Sequence, residues 1–239
     1  MENRPDDYLN NELDESPGGS KIHRHEDNKS NDGSIPEKSC VYLDEVCAHF
    51  DKLHPGRKTL VLHEIVSSFV HIDVHVMYPT AEEDFFVIFT TGMSDLPMSI
   101  PEGLGEAKDW AFAEVYMHLP SSWNPEGEMT QENFWAVELL KFVARMPHVY
   151  STWLGDGHTI PNGPNYEPFL VGSALSAVCL VGMGRFEAAD GNSINTYYVA
   201  PLTRTETEFK LEQGMGALME LFDKNKVKLV VDAFRGSCV

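Results

Sequence analysis

Basic residues are in short supply in this chain. Its 239 residues hold 18 Lys and Arg against 37 Asp and Glu, a formal net charge of −19, with an isoelectric point near 4.8. A polyanion of this kind repels nucleic acid and anionic lipid, so neither is expected as a partner, and its field draws in basic proteins. Cysteine is scarce as well. Cys40, Cys47, Cys179 and Cys238 form no Cys-x-x-Cys pair, which leaves neither a disulfide framework nor a zinc knuckle. Cys40 and Cys47, seven apart, are expected on one face of a helix, as small hydrophobes. No apolar run approaches the roughly 18 residues of a membrane span, and no h-region follows Met1. A cytoplasmic location is therefore expected. Phosphate loops of the Gly-x-x-x-x-Gly-Lys-Ser/Thr and Gly-x-Gly-x-x-Gly kinds are missing, and Ser173 in Val-Gly-Ser-Ala-Leu lacks the second glycine of a nucleophile elbow. No cofactor is implied.

What is present is enough apolar sequence, 42% of the chain, to bury a substantial core. Residues 1–38 do not share in it. They hold five basic and ten acidic residues and few sizeable apolar ones, too little burial to offset the entropy of ordering. They are expected to be a disordered acidic tail, with residues 39–239 as the folded domain. In that domain Leu43, Val46, Cys47, Phe50 and Leu53 recur at helical spacing up to Pro55-Gly56. Residues 70–76 alternate as a strand, with Val70, Ile72, Val74 and Val76 on one side and His71, Asp73 and His75 on the other. The apolar run 85–91 reads as a buried strand entering a Gly92-Met93-Ser94-Asp95-Leu96 turn, and 110–119 as a third strand. Thr130 is positioned to cap a helix over 131–146, whose Phe134, Val137, Leu139, Leu140 and Val143 make a broad apolar stripe and which Pro147 ends. Strands follow around 174–186 and 194–200, joined by Asp190-Gly191-Asn192. Thr205 and Glu208 have capping-box spacing ahead of a helix to about residue 224, with Phe209, Met215, Leu218, Met219 and Phe222 inward, and Val227–Val231 closes the chain as a short strand. The sum is α+β, a mixed, largely antiparallel sheet with about three helices packed on it.

Few constellations could carry chemistry. His71-x-Asp73-x-His75 projects three metal-ligating side chains from one strand face, and His63, His118, His148 or His158 could add a further one, a set that could activate water for hydrolysis. One strand does not define a coordination shell, and a polar sheet face is the simpler reading. Asp156 and His158 could pair as acid and base, but a tight loop turned by Gly155 and Gly157 accounts for them. Glu114 sits in an otherwise apolar strand and needs a partner. It could pair with Asp95 in catalysis, or be held structurally by a histidine or by backbone N–H groups of the Gly92–Leu96 turn, the simpler role. Trp123 and Trp153 are either anchors for a partner or plugs at the rim of the core.

Taken in order, a set of segments resembles the Suppressor of fused domain family. These are His71-Ile72-Asp73-Val74, Thr91 to Met98, Phe112 to Pro120 with Trp123, Leu139 to His148, Trp153 to Thr159, and Val199 to Thr203. The resemblance runs from about residue 41 to 235. It implies a non-enzymatic α+β domain that binds other proteins, with Asp95, Glu114, Trp123, Trp153, Asp156 and His158 as family-motif or protein-binding residues. Larger animal members carry a second, C-terminal domain that this chain lacks. Bacterial single-domain relatives look like immunity proteins that neutralise a toxin domain by direct binding, and the acidic balance suits a basic toxin as partner. The competing expectations are a metal-dependent hydrolase built on His71, Asp73, His75 and His158, and a regulatory scaffold subunit.

Overall fold

The computed structural model describes residues 15–25, 40–65, 67, 69–128 and 130–239. Of the segment expected to be a disordered tail, residues 15–25 are described, and the rest lies outside the described residues. Seven strands form one mixed sheet in the order β1-β2-β3-β4-β7-β6-β5: β1 (Thr59–Leu62), β2 (Asp73–Met77), β3 (Phe85–Thr91), β4 (Phe112–Pro120), β5 (Thr159–Pro161), β6 (Leu175–Glu187) and β7 (Ser193–Thr203). The pairings β1–β2, β2–β3, β3–β4 and β5–β6 are antiparallel and β4–β7 is parallel. Among the described residues five helices accompany it, α1 (Leu43–Leu53), α2 (Ala107–Trp110), α3 (Gln131–Tyr150), α4 (Arg204–Gln213) and α5 (Met215–Asn225). The expected α+β class and mixed, largely antiparallel sheet are as observed. The chain divides into two compact units, one with the described residues of 1–27, 159–179 and 200–239, the other with those of 28–158 and 180–199.

In the second unit β2 and β3 are buried almost throughout, which suits the β-branched and aromatic residues they carry. Phe50 of α1 stacks on Phe89 of β3 with ring centroids 4.1 Å apart and meets Tyr116 of β4 edge-on at 5.3 Å. α3 packs on β2, β3 and β4 through the stripe expected of it, with Phe134, Val137, Leu139, Leu140 and Val143 all buried. In the first unit Ala177, Cys179, Leu202 and Leu218 make a core against which Phe209, Met215, Met219 and Phe222 pack. The inward face read from the helical spacing is the one observed.

Several boundaries differ from the sequence reading. β2 begins at Asp73, so His71 precedes the strand. α1 begins at Leu43, and Cys40, with φ of 61°, lies outside it. α3 continues one turn past the expected stop, with Pro147 inside it. A proline there forfeits one intrahelical bond but keeps a helical φ. The helix ends instead at Ser151 in the left-handed region, where the Pro147 carbonyl accepts its N–H. Thr130 occupies the N-cap position with no side-chain bond. The last helical stretch is two helices broken at Gly214, whose φ of 87° and ψ of 169° are not helical. Its capping box is Thr203–Glu206, not Thr205–Glu208: the Thr203 hydroxyl accepts from the Glu206 N–H at 3.2 Å and the Glu206 carboxylate accepts from the Thr203 N–H at 2.9 Å. Residues 227–231 form no strand of their own.

Candidate functional site

The Gly92 turn is a single 3-10 turn, Met93–Asp95, buried along with the end of β3. Gly92 is required there twice over. Its φ is 105°, and a Cβ on it would lie 1.8 Å from the His71 carbonyl oxygen. Beneath the turn sits Glu114, fully buried. Its Oε1 accepts from the Gly92 N–H (3.1 Å), the Ser94 N–H (3.0 Å) and the Ser94 hydroxyl (2.6 Å), and its Oε2 accepts from the Thr90 hydroxyl (2.6 Å). Of the partners expected for Glu114, a histidine or backbone N–H groups of this turn, the backbone groups are the ones present, joined by the Ser94 and Thr90 hydroxyls. Burial pushes its carboxyl up to about 7 against the pull of these donors, and the Asp95 charge adds to the rise.

Asp95 turns the other way. Its two oxygens accept from the backbone N–H groups of Cys40 (2.7 Å) and Val41 (2.8 Å), fastening the chain that leads into α1. Burial raises its pKa, and those backbone donors oppose the rise. Asp95 and Glu114 therefore hold one turn from two sides, and their hydrogen bonds go to backbone and hydroxyl groups of the fold.

The His-x-Asp-x-His set does not converge as the strand pattern suggests. Asp73 accepts from His71 Nε2 at 2.9 Å and from His63 Nδ1 at 2.8 Å, and from the Glu64 N–H at 2.8 Å. Burial pushes the Asp73 carboxyl up, but these donors outweigh it and the net shift is downward. Glu64 in turn pairs with Arg145 of α3. His75 stands apart. It stacks on Phe89 at 4.8 Å, its Nε2 is 3.0 Å from the Thr91 hydroxyl and its Nδ1 is 3.8 Å from Cys47 Sγ. Burial takes its imidazole down to about 4 and the Cys47 thiol up to about 11. At neutral pH this is an imidazole beside a thiol, without the thiolate a nucleophile needs. His158 packs edge-on against Trp153 at 4.5 Å. Among the described residues no group of three or more His, Cys, Asp or Glu side chains is arranged to hold a metal ion.

The loop through Trp153 and His158 runs beside β6. The Gly157 N–H donates to the Leu180 carbonyl and the Leu180 N–H to the His158 carbonyl, each at 2.8 Å. Exposed Asp156 accepts from the Gly182 N–H at 2.8 Å. β6 becomes exposed from Gly182 to Arg185, with Met183 half-exposed. Asp156, Trp153 and His158 thus share one loop along an exposed strand segment. Trp123 lies elsewhere. Its indole N–H donates to the Asn133 carbonyl at 2.6 Å and its ring meets Phe86 edge-on at 5.2 Å, so it plugs the start of α3 onto β3.

Residues 69–236 match the family model described as Suppressor of fused protein (SUFU), well over half of the chain. The chain belongs to the Suppressor of fused family. Similar solved structures agree on the fold. A putative SUFU homolog from Neisseria gonorrhoeae is 18% identical with a TM-score of 0.59, over 83% of this chain and 97% of that one. A chain from the crystal structure of a Sufu–Fu complex is 14% identical with a TM-score of 0.61, over 84% and 93%. Drosophila Suppressor of Fused is 13% identical with a TM-score of 0.55, and the match spans 82% of this chain but 50% of that one. A search of curated proteins gave no match.

In this Suppressor of fused domain the turn donors of Glu114 were legible in the sequence, and the long-range supports around Asp73 were not. Glu64 and Arg145, which pair beside Asp73, lie 81 residues apart, and no local pattern signals that. The same holds for Arg57, whose buried guanidinium donates to the Tyr78 and Phe85 carbonyls and to the Glu83 carboxylate. A sequence clue did exist for Thr90 and Ser94, since short hydroxyl side chains flanking a turn beside a buried acid are its natural donors.

Proposed function

We propose that this chain is a non-enzymatic protein-binding domain, and most concretely an immunity-type inhibitor that neutralises a basic toxin domain by direct binding. The observation that carries it is family membership. A structural relative is recorded in a Sufu–Fu complex, and bacterial single-domain members resemble immunity proteins. The charge of −19 supplies the long-range attraction for a basic target. On this reading the folded domain is residues 39–239, the protein acts in the cytoplasm without a cofactor, and the 153–158 loop with β6 residues 182–185 is the binding face. Among the described residues no helix is long and apolar enough to cross a membrane.

The test is whether a toxin domain is encoded beside this chain and whether co-expression neutralises it, together with affinity measured at low and high salt. Growth rescue, with affinity falling steeply as salt rises, supports the reading, because exposed charge is screened beyond about 10 Å at 0.1 M salt. Failure of rescue with no protein partner recovered on co-purification overturns it. Binding that salt leaves unchanged would favour the scaffold reading.

A further inference from the structure

Thr90 has one hydroxyl proton and two acceptors for it. Its Oγ1 lies 2.6 Å from Glu114 Oε2 and 3.2 Å from the Val115 carbonyl oxygen, while it accepts from the Val115 N–H at 3.1 Å. The β3–β4 ladder stops one residue earlier, at Phe89↔Tyr116, so this side chain stands where the main chain would otherwise bond. We propose that Glu114 and Thr90 form a proton-operated latch under the Gly92 turn. With the carboxylate ionised, the hydroxyl donates to Glu114 Oε2. With the carboxyl protonated, Oε2–H donates to Thr90 Oγ1 and the hydroxyl proton swings to the Val115 carbonyl.

The Glu114–Thr90 hydrogen bond is kept in both states with its direction reversed, and the Val115 carbonyl receives the hydroxyl proton only when the carboxyl is protonated. Oε1 goes on accepting from Gly92 and Ser94, so one proton enters a sealed site without adding an unpaired polar atom. What changes is charge. Asp95 bears on Glu114 from the turn itself. The Cys47 thiol on α1 feels Glu114 together with Asp44 and Asp51. His148 of α3 donates to the Met93 carbonyl at 3.0 Å, and His71 acts on Asp95. From β7, Thr196 stands opposite Glu114 and brings no charge. Ionising Glu114 sets a second anion beside Asp95, whose hold on Cys40 and Val41 fastens the lead into α1. Proton release at Glu114 is thereby transmitted to that lead.

Burial places the release at about pH 7, where a modest change in acidity moves it. The experiment is carbon-detected NMR of the full chain across about pH 5 to 9, against an ordinary Glu near 4.3. The expected result is a Glu114 Cδ midpoint near neutrality, the same midpoint at Thr90, and exchange of the Cys40 and Val41 amides that quickens with it after correction for base catalysis. In Asp95→Asn the Glu114 midpoint should fall. In Glu114→Gln, which imitates the protonated carboxyl, the 40–41 amides should lose their step near neutrality. A Glu114 midpoint in the ordinary carboxylate range overturns the proposal, as does a neutral midpoint with Thr90 and residues 40–41 unmoved. The wild-type titration decides the matter even if a variant fails to fold.

Discussion

Replacing Gly92 by alanine should be among the most damaging single-methyl additions in this domain. Two penalties combine. Alanine at φ of 105° is forced into a region that side chains rarely adopt, which costs about 1–3 kcal/mol. The added Cβ would also lie 1.8 Å from the His71 carbonyl oxygen, where real Cβ atoms essentially never come within 3.0 Å. One of two backbones must therefore give by more than an ångström, and both are fixed. The turn is held by Glu114 and Asp95, and the His71 segment leads into Asp73 with its histidines. Together the expected loss is about 4 kcal/mol, in the range reserved for a few named mechanisms. At about 2–4 °C per kcal/mol for a domain of this size, Tm should drop by roughly 8–16 °C. Gly157→Ala is the control, with a comparable φ of 77° but nothing within 4 Å of its Cβ, and strain alone predicts about 1–2 kcal/mol. Calorimetric or circular-dichroism melts of both variants read the difference. Equal losses, or a loss at Gly92 below about 1 kcal/mol, would show that the close approach to His71 does not constrain the fold and would refute the argument.

Glu206 is fully buried and chelates Arg235, with Oε1 at 2.5 Å and Oε2 at 2.8 Å. Arg235→Ala should therefore cost about 3–5 kcal/mol in urea denaturation by stranding a buried charge. Although burial raises the Glu206 carboxyl, the Arg235 bonds and the Thr203 N–H bring it below its ordinary value. Its contribution is thus present at neutral pH and is lost as pH falls through the folded pKa. The acid limb of stability against pH should be shallower in the variant, and an unchanged limb would count against the assignment. Iodoacetamide at about pH 8 should modify exposed Cys40 well ahead of Cys47, whose thiol is pushed up to about 11; peptide mass spectrometry reads the order, and a faster Cys47 would contradict it. Asp156→Ala removes an exposed side chain and should shift stability by less than about 1 kcal/mol. On the proposed binding face it should nevertheless weaken partner affinity in calorimetric titration, and unchanged affinity would remove that loop from the face.

Local pattern carried much of the fold. The run 85–91 became a strand with those bounds, because β-branched and aromatic residues between turn formers leave little choice. The inward face of the C-terminal helices was also legible, since helical spacing survives the break at Gly214. Errors gathered where long-range contacts overrule local preference. Pro147 is a good stop signal in isolation, yet α3 holds through it because its apolar stripe is packed on three strands. The Thr205–Glu208 spacing gave way to Thr203–Glu206, whose carboxylate has Arg235 to bind from 29 residues away. The histidines failed for a related reason. Alternation predicts one face for His71, Asp73 and His75, but the strand begins only at Asp73. His63, one of four histidines offered as a further ligand, takes the position beside Asp73 that His75 was expected to fill.

The two bonds from Asp95 to the amides of Cys40 and Val41 join positions 55 and 54 residues apart, and that separation orders events in time. On a ribosome α1 is made first, but its acidic anchor does not exist until β3 and the following turn have been synthesised. An eleven-residue helix is marginal by itself in water. The docking of α1 is therefore a late step that waits for the sheet. Until then Phe50 and its partner Phe89 have no fixed stack between them. The interval during which that apolar surface lies open is set by how fast β2, β3 and β4 pair, and it is the period in which the nascent chain is most exposed to aggregation.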